Sequence, residues 1–204
     1  MAPIRDPFPT ALPELHGLGL RLRPWDASSG ADVDTWMRGM RDPEFRRWNT
    51  PLRPVTDRAS ARQSLLAREQ SAVEGTSVSF RVADAGSDTV LGHIGVNEIK
   101  YHLKVARVGY WVLPEARGQG VATRALLLAT RWALAELKLH RIELDHALGH
   151  DVSCRIAERC GFAYEGTLRG AIFEEDRHDA FRDAHLHARL ATDAEPEAGG
   201  GAWA

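Results

Sequence analysis

The chain has 204 residues, of which 44% are hydrophobic and 26% are charged, and its formal net charge is −2. This length and apolar content suffice for one globular domain with a substantial core. The small net charge gives no general attraction to nucleic acid, and no apolar run approaches the roughly eighteen residues of a membrane span. The N-terminal MAPIRDPFPTALPEL also lacks the apolar core of a signal peptide. We therefore predict a cytoplasmic protein that binds neither nucleic acid nor membrane.

The two ends of the chain differ in composition from the middle. Residues 1–15 are rich in proline and show no periodicity, and residues 193–204 read DAEPEAGGGAWA. Such segments bury too little apolar surface to order themselves. We predict a mobile N-terminal segment over 1–15, one domain over 16–192 and a disordered tail over 193–204.

The first half of the domain predicts a strand, two helices and three further strands. Leu18, Leu20 and Leu22 alternate with polar residues or glycine until Pro24, which is typical of a half-buried strand. Residues with capping side chains begin both helical patterns, and Gly75 ends the second. The predicted helices cover 32–40 and 57–74. The predicted strands of this antiparallel meander cover 77–83, 90–99 and 105–113.

The second half alternates helices and strands. The predicted helices cover 121–137 and 153–160, and the predicted strands cover 140–145, 162–168 and 183–190. A meander followed by strand-helix-strand crossovers indicates a mixed α/β fold whose central sheet is mostly antiparallel.

Cysteine and histidine spacing gives no metal or disulfide signal. Cys154 and Cys160 are six residues apart on one predicted helix, which suits neither a disulfide framework nor a CxxC motif. The HALGH segment has no third ligand at a recognisable spacing, and we assign the later His185-x-His187 to an edge strand. We therefore expect ordinary thiols and no metal.

Residues 109–127, GYWVLPEARGQGVATRALL, place a glycine-rich turn between a strand and a helix. Free N–H groups at a helix start converge on one spot, and glycines let a phosphate approach the backbone closely. The turn therefore predicts a phosphate or pyrophosphate ligand, to which Arg117 adds charge. A P-loop would need GxxxxGK[ST], which is absent. A dinucleotide-binding turn is disfavoured because PEAR separates the strand from the first glycine. A structural turn without a ligand stays an alternative.

The segment RGQGVA matches the pattern [QR]-x-x-G-x-[GA] and resembles the acetyl-CoA loop of the GNAT N-acetyltransferases. The order of the surrounding elements, the segment SCRIAERCGFAYEGTLRG and an N-terminal LRPW are similar to the RimJ/RimL-like branch over about 18–190. The resemblance implies the GNAT fold, with a central mixed, mostly antiparallel sheet that is splayed in the middle and has helices on both faces. It also implies direct transfer of an acetyl group from acetyl-CoA to a primary amine, either a protein N-terminus or a small molecule.

Two other readings stay open. A degenerate GNAT module could bind CoA or a protein partner without turnover. The sequence also leaves open whether the protein forms a homodimer.

The resemblance implies a set of cofactor-binding residues. The pantetheine arm of acetyl-CoA would pair with the backbone of Trp111, Val112 and Leu113, and the Val112 N–H would face the thioester oxygen. His150 stands where the branch often has the asparagine of Asn-x-x-Ser, and Ser153 matches the serine. The pyrophosphate would lie on the amides of Arg117, Gly118, Gln119, Gly120, Val121 and Ala122.

The catalytic groups of the family are only partly matched. Ala157 stands where many relatives have a general-acid tyrosine, and Ile172 stands near the usual position of a carboxylate base. We expect Glu98 to be the general base, with an exposed strand glutamate as the alternative and with His146 or His150 as other candidates. We expect Ser153 either to lie near the leaving thiolate or to be only a helix N-cap.

Overall fold

The strands of the protein form one eight-stranded sheet in the computed structural model, which describes residues 12–196. In chain order the elements are β1 (Leu15–Gly17), β2 (Leu20–Pro24), α1 (Gly30–Arg41), α2 (Pro43–Trp48), α3 (Arg58–Val73), β3 (Val78–Asp84), β4 (Val90–Lys100), β5 (Val105–Val112), α4 (Val121–Ala135), β6 (Arg141–Ala147), α5 (Asp151–Arg159), β7 (Ala163–Glu174) and β8 (Arg177–Leu190). The strand order in the sheet is β1-β2-β3-β4-β5-β6-β8-β7. β5 and β6 are parallel, and the other neighbours are antiparallel.

Helices cover both faces of the sheet, and each face has its own core. On one face α4 and α5 pack over the strands, where Leu126 and Ile142 are completely buried. On the other face α1 and α3 enclose a second cluster around Trp36 and Leu65. Burying each such side chain contributes about 1.5–3 kcal/mol, more than an exposed ion pair does. This arrangement confirms the predicted fold class.

Local capping explains where the N-terminal helices begin. The Ser29 hydroxyl accepts a hydrogen bond from the Asp32 N–H at 3.3 Å at the start of α1. Asp57 and Ser60 form a reciprocal capping box at the start of α3. Both caps satisfy amides that have no intrahelical partner.

The sheet opens between β5 and β6. These strands pair only over Val105–Arg107 and Arg141–Glu143, although β5 continues to Val112 and β6 to Ala147. The central separation implied by the family resemblance is therefore present. It leaves the C-terminal halves of two buried strands with free edges that face each other.

Helix α2 bridges the opening from the N-terminal half to the β7–β8 hairpin. Thr50 donates to the Glu174 carbonyl at 2.7 Å and accepts from the Asp176 N–H at 3.0 Å. Arg46 pairs with Asp176 at 2.6 Å. These contacts hold α2 over the gap between β5 and β6.

The structure extends and corrects the sequence-based element assignment. The short β1 and α2 were not predicted, because a three-residue strand and a six-residue helix leave little periodicity. The assignment of His185 and His187 to an edge strand is wrong, because β8 lies between β6 and β7. The reversal after β7 places β7 at the edge and β8 inside.

The predicted end segments lie partly outside the described residues. Residues 1–11 and 197–204 are not described, so the predictions made for them stay predictions. Leu12 and Leu15 pack against the core, and Glu195 pairs with Arg189 at 2.6 Å, so packing continues slightly past the predicted domain limits. Within residues 12–196, none of the helices is both long and apolar enough to cross a bilayer.

Candidate active site

A cleft of about 730 Å³ lies where β5 and β6 separate. Four parts of the chain line it: α2, the end of β5 with the following loop, the first turn of α4, and α5. The lining residues are Glu44, Phe45, Trp48, Asn49, Tyr110, Trp111, Val112, Ala116, Arg117, Gly118, Gly120, Val121, Ala122, Thr123, His150, Val152, Ser153, Ile156 and Arg159. Most of the predicted cofactor-binding residues therefore meet in one place.

The loop before α4 presents a row of unpaired backbone amides. Gly120 is the N-cap of α4 with a φ of 67°, and Gly118 has a φ of 75°. The first helical bond in α4 runs from the Arg124 N–H to the Gly120 carbonyl. Within residues 12–196, the amides of 118–123 have no backbone acceptor. Six N–H groups at a helix start make a strong anion site.

Arg117 contributes less directly to the anion site than the sequence suggested. Its N–H donates to the Pro114 carbonyl, so the free row starts one residue later than predicted and ends at Thr123. Its guanidinium forms an ion pair with Asp42 and donates to the Val112 carbonyl at 3.2 Å. Arg117 therefore joins the loop to α2.

The end of β5 offers a free backbone edge to the cleft. The Leu113 N–H donates to the Leu91 carbonyl of β4 at 2.8 Å. Amides alternate in direction along a strand, so the Val112 N–H faces the gap between β5 and β6. The side chains of Trp111 and Leu113 are buried among α1 and α3, which leaves their backbone as the part that a cofactor can reach.

A chain of polar contacts crosses the cleft on the α5 side. The Tyr110 hydroxyl donates to Ser153 Oγ at 3.2 Å, and Ser153 Oγ lies 3.2 Å from His150 Nδ1. The His150 ring stacks on Trp48 with centroids 4.5 Å apart and planes 5° from parallel. Ser153 is the third residue of α5 and His150 is the N-cap, so the alternative that Ser153 only caps this helix is wrong.

Burial keeps Tyr110 and His150 uncharged. Burial and, to a smaller extent, the neighbouring His146 lower the pKa of His150 to about 4. Burial also raises the pKa of Tyr110 well above its ordinary value, although its bond to Ser153 acts in the opposite direction. At neutral pH both groups are therefore neutral and can hold the Ser153 hydroxyl in place.

The structure does not bring Glu98 to the cleft. Glu98 lies at a bulge in β4 with a φ of 51°, beside the end of β5 that still pairs with β6. Its carboxylate is half exposed and lies 3.8 Å from Arg107. Among the described residues that line the cleft, Glu44 is the only carboxylate, and it accepts a hydrogen bond from Trp48 Nε1 at 2.8 Å.

Sequence reasoning missed three residues of this site. Tyr110 contacts Ser153 across the opening between β5 and β6. Trp48, which bonds to Glu44, stacks on His150 only because α2 crosses that opening. The one available signal for Tyr110 was strand alternation, which places it opposite Trp111 but does not say which residue faces the cleft. No local pattern identified Trp48 or Glu44.

The splayed sheet with a loop of free amides at its opening is the arrangement that the family resemblance implied. The family model described as an acetyltransferase (GNAT) domain matches residues 19–163. The chain therefore belongs to the GNAT acetyltransferase family.

Individual relatives and solved structures agree with this assignment. The ribosomal-protein-serine acetyltransferase of Escherichia coli (strain K12) is 32% identical over 103 residues, which are 50% of this chain and 56% of that protein. The chain spans about half the length of this and similar curated relatives.

Two solved structures share the fold. One is RimL, a ribosomal alpha-N-protein acetyltransferase, in complex with coenzyme A, with a TM-score of 0.77 and 19% identity over 87% of this chain and 98% of that chain. The other is Mycobacterium smegmatis RimJ in complex with CoA-disulfide, with a TM-score of 0.76 and 23% identity over 90% of both chains.

Proposed function

We propose that this protein transfers the acetyl group of acetyl-CoA to a primary amine by direct attack. The observation that carries the proposal is the single cleft in which the free amides of 118–123, the open edge of β5 and the Ser153 hydroxyl meet. Each group matches a different part of the thioester cofactor: pyrophosphate, pantetheine with its carbonyl, and sulfur. The coenzyme A named in the RimL and RimJ structures supports the choice of cofactor.

The cofactor binds through backbone groups. Its pyrophosphate accepts hydrogen bonds from the amides of 118–123, where Gly118 and Gly120 keep the approach open. Its pantetheine arm pairs with the free edge of β5 in the manner of an added strand. The Val112 N–H then donates to the thioester oxygen and stabilises the negative charge of the tetrahedral intermediate.

The chemistry requires one bond to form and one to break. The amine nitrogen attacks the carbonyl carbon, and the carbon–sulfur bond then breaks to leave the CoA thiolate. An ammonium loses two protons on becoming an amide, the thiolate gains one, and the other is released. Ser153 passes the second amine proton to the thiolate, so its hydroxyl is regenerated, while Tyr110 and His150 orient it. Glu44 accepts the proton that the ammonium must lose before attack, because it is the carboxylate in the described cleft lining.

The acceptor that we propose first is the N-terminal amine of a protein. The name of the E. coli relative, a ribosomal-protein-serine acetyltransferase, supports a protein acceptor. Helix α2 supplies the cleft-lining residues Glu44, Phe45 and Trp48, and Thr50 and Arg46 tie it to the β7–β8 hairpin. The peptide terminus enters beside Glu44.

The test is amine-dependent release of the CoA thiol with acetyl-CoA, a panel of peptides with different first residues, and spermidine as a small amine. Each peptide has a matched control that carries an acetylated N-terminus. Thiol release with the free peptides only, together with acetylated product in mass spectra, supports the proposal. Saturable acetyl-CoA binding with no product from any amine would instead support a binding module. Absence of acetyl-CoA binding would overturn the assignment of the cleft.

A further inference from the structure

Four metal-ligating side chains from three elements meet beside the cleft, on the sheet face covered by α5. His146 on β6 lies directly opposite His185 on β8, and His187 lies two residues further along the same face of β8. Cys154 from the first turns of α5 completes the group. One ligand atom from each residue lies within 4.8 Å of all the others. We propose that these four residues form a zinc site.

The hydrogen-bond pattern turns at least one ring lone pair toward the Cys154 sulfur. His146 Nδ1 lies 3.0 Å from the Ala147 carbonyl, so this nitrogen carries the proton and donates. Its Nε2 then presents a lone pair to Cys154 Sγ, which is 3.3 Å away. His185 Nδ1 also lies 3.3 Å from the same sulfur. A thiol has one proton, so it cannot donate to both rings. A backbone carbonyl that fixes the tautomer is also typical of zinc-ligating histidines.

His187 gives an independent indication of a ligand. Its side chain is completely buried, and neither ring nitrogen makes a hydrogen bond of normal geometry. A backbone group of Phe162 lies near the ring but not at normal hydrogen-bond geometry. Leaving a buried polar group without a good partner costs about 1–3 kcal/mol. A metal ion that uses the His187 lone pair removes this cost.

The ligand set selects zinc among the common divalent ions. Three imidazoles and one thiolate at tetrahedral Zn–N and Zn–S lengths give ligand–ligand separations of roughly 3.3–3.6 Å. The two 3.3 Å contacts to Cys154 Sγ are close to this range, and the others lie within 4.8 Å, so small side-chain rotations suffice. Calcium and magnesium prefer oxygen ligands, which the group does not offer. Cys154 and His185 are partly exposed, which leaves an entry path beside the Tyr164 ring.

The site has the character of a structural zinc site. The protein supplies all four ligands, so no position stays open for water or substrate. The ion ties α5 to β6 and β8. Ser153 precedes Cys154 in the chain, and the His146 ring lies 6.0 Å from the His150 ring, centroid to centroid. A bound zinc therefore fixes the helix turn that carries Ser153 without taking part in acetyl transfer.

The experiment uses the full chain after treatment with a chelator. Zinc is titrated against a chromophoric competitor to give stoichiometry and affinity, and cobalt is added separately as a spectroscopic probe. We expect one zinc per chain, intense visible bands typical of tetrahedral cobalt, and a sulfur-to-cobalt band in the near ultraviolet. Cys154→Ser removes the sulfur band and weakens zinc binding by at least about tenfold, because it replaces the one thiolate ligand. His187→Gln weakens binding similarly.

The matched controls change residues outside the group. Cys160→Ser alters the other thiol, which bonds to the Thr123 carbonyl, and His102→Asn alters an exposed histidine. Both should bind zinc like the parent. Circular dichroism of each zinc-free variant checks that it is folded, and zinc should raise the melting temperature of the parent and of the controls only. Less than one zinc per chain in the parent, or a Cys154→Ser variant that keeps the parent affinity, would overturn the proposal.

Discussion

The two walls of the cleft bind by different means. The wall formed by the loop before α4 presents backbone amides, and its geometry depends on Gly118 and Gly120, which both have positive φ. The wall formed by α2 and α5 presents side chains, with Ser153, His150 and Trp48 held by contacts across elements. Backbone amides hold a cofactor through the conformation of one contiguous loop, so they depend mainly on the glycines that allow that conformation. Catalysis by side chains requires that each of these residues is held in position by its neighbours on other elements.

This difference explains what the sequence could reveal. The loop is contiguous in sequence, so the pattern RGQGVA is sufficient to predict an anion site. Glu44 and Tyr110 are far apart in sequence, and they share one cleft only because β5 and β6 separate and α2 covers the gap. Glu98 was chosen for its position on the neighbouring strand, but the register places it at the closed end of the opening.

The largest expected effect tests the backbone wall. Gly120→Glu places a carboxylate against the pyrophosphate and strains a residue with a φ of 67°. We expect acetyl-CoA affinity, measured by calorimetry, to fall at least about 100-fold, which corresponds to ~2.7 kcal/mol. Gly170→Glu is the control, since Gly170 has a φ of 58° but lies on β7 outside the cleft lining. Equal affinity in the two variants would remove the loop from cofactor binding.

The next effect tests the side-chain wall. Ser153→Ala removes the proposed proton donor to the thiolate, and we expect kcat to fall by about 100-fold, a typical contribution of general acid catalysis. Acetyl-CoA affinity should change less than about twofold, because the backbone wall is intact. Tyr110→Phe keeps the ring and removes only the donor to Ser153, so it should lower kcat by a smaller factor. A Ser153→Ala variant with the parent kcat would contradict the assignment.

A smaller effect distinguishes the two candidate bases. Glu44→Gln keeps an oxygen that can accept the Trp48 hydrogen bond but removes the charge, and we expect kcat at neutral pH to fall about tenfold. The defect should shrink as the pH rises, because more of the acceptor amine is then already neutral. Glu98→Gln should leave kcat unchanged because Glu98 lies outside the cleft lining. If Glu98→Gln lowers kcat at neutral pH and Glu44→Gln does not, the general base is Glu98 rather than Glu44.

The smallest expected effect is on the pH dependence of the free energy of unfolding, and it tests His150 of the side-chain wall. The native pKa of His150 is about 4, against an ordinary value of 6.5, so the unfolded chain binds a proton at this residue before the folded chain does. The stabilisation due to neutral His150 is therefore complete above about pH 6.5 and is lost as the pH falls toward about 4. His150→Asn should remove this loss. We expect the parent to lose about 1–2 kcal/mol more than the variant over that range, since partial exposure of His150 reduces the full effect.

Urea unfolding at several pH values measures this difference directly. His93, His146 and His187 also have lowered pKa values from burial, and they are present in both proteins, so the difference between parent and variant reports His150 together with its coupling to His146. His102→Asn, at an exposed position, should follow the parent. Identical pH dependence in the parent and in His150→Asn would mean that His150 is not held neutral against Trp48, and the side-chain wall would then lack the fixed geometry that Ser153 needs.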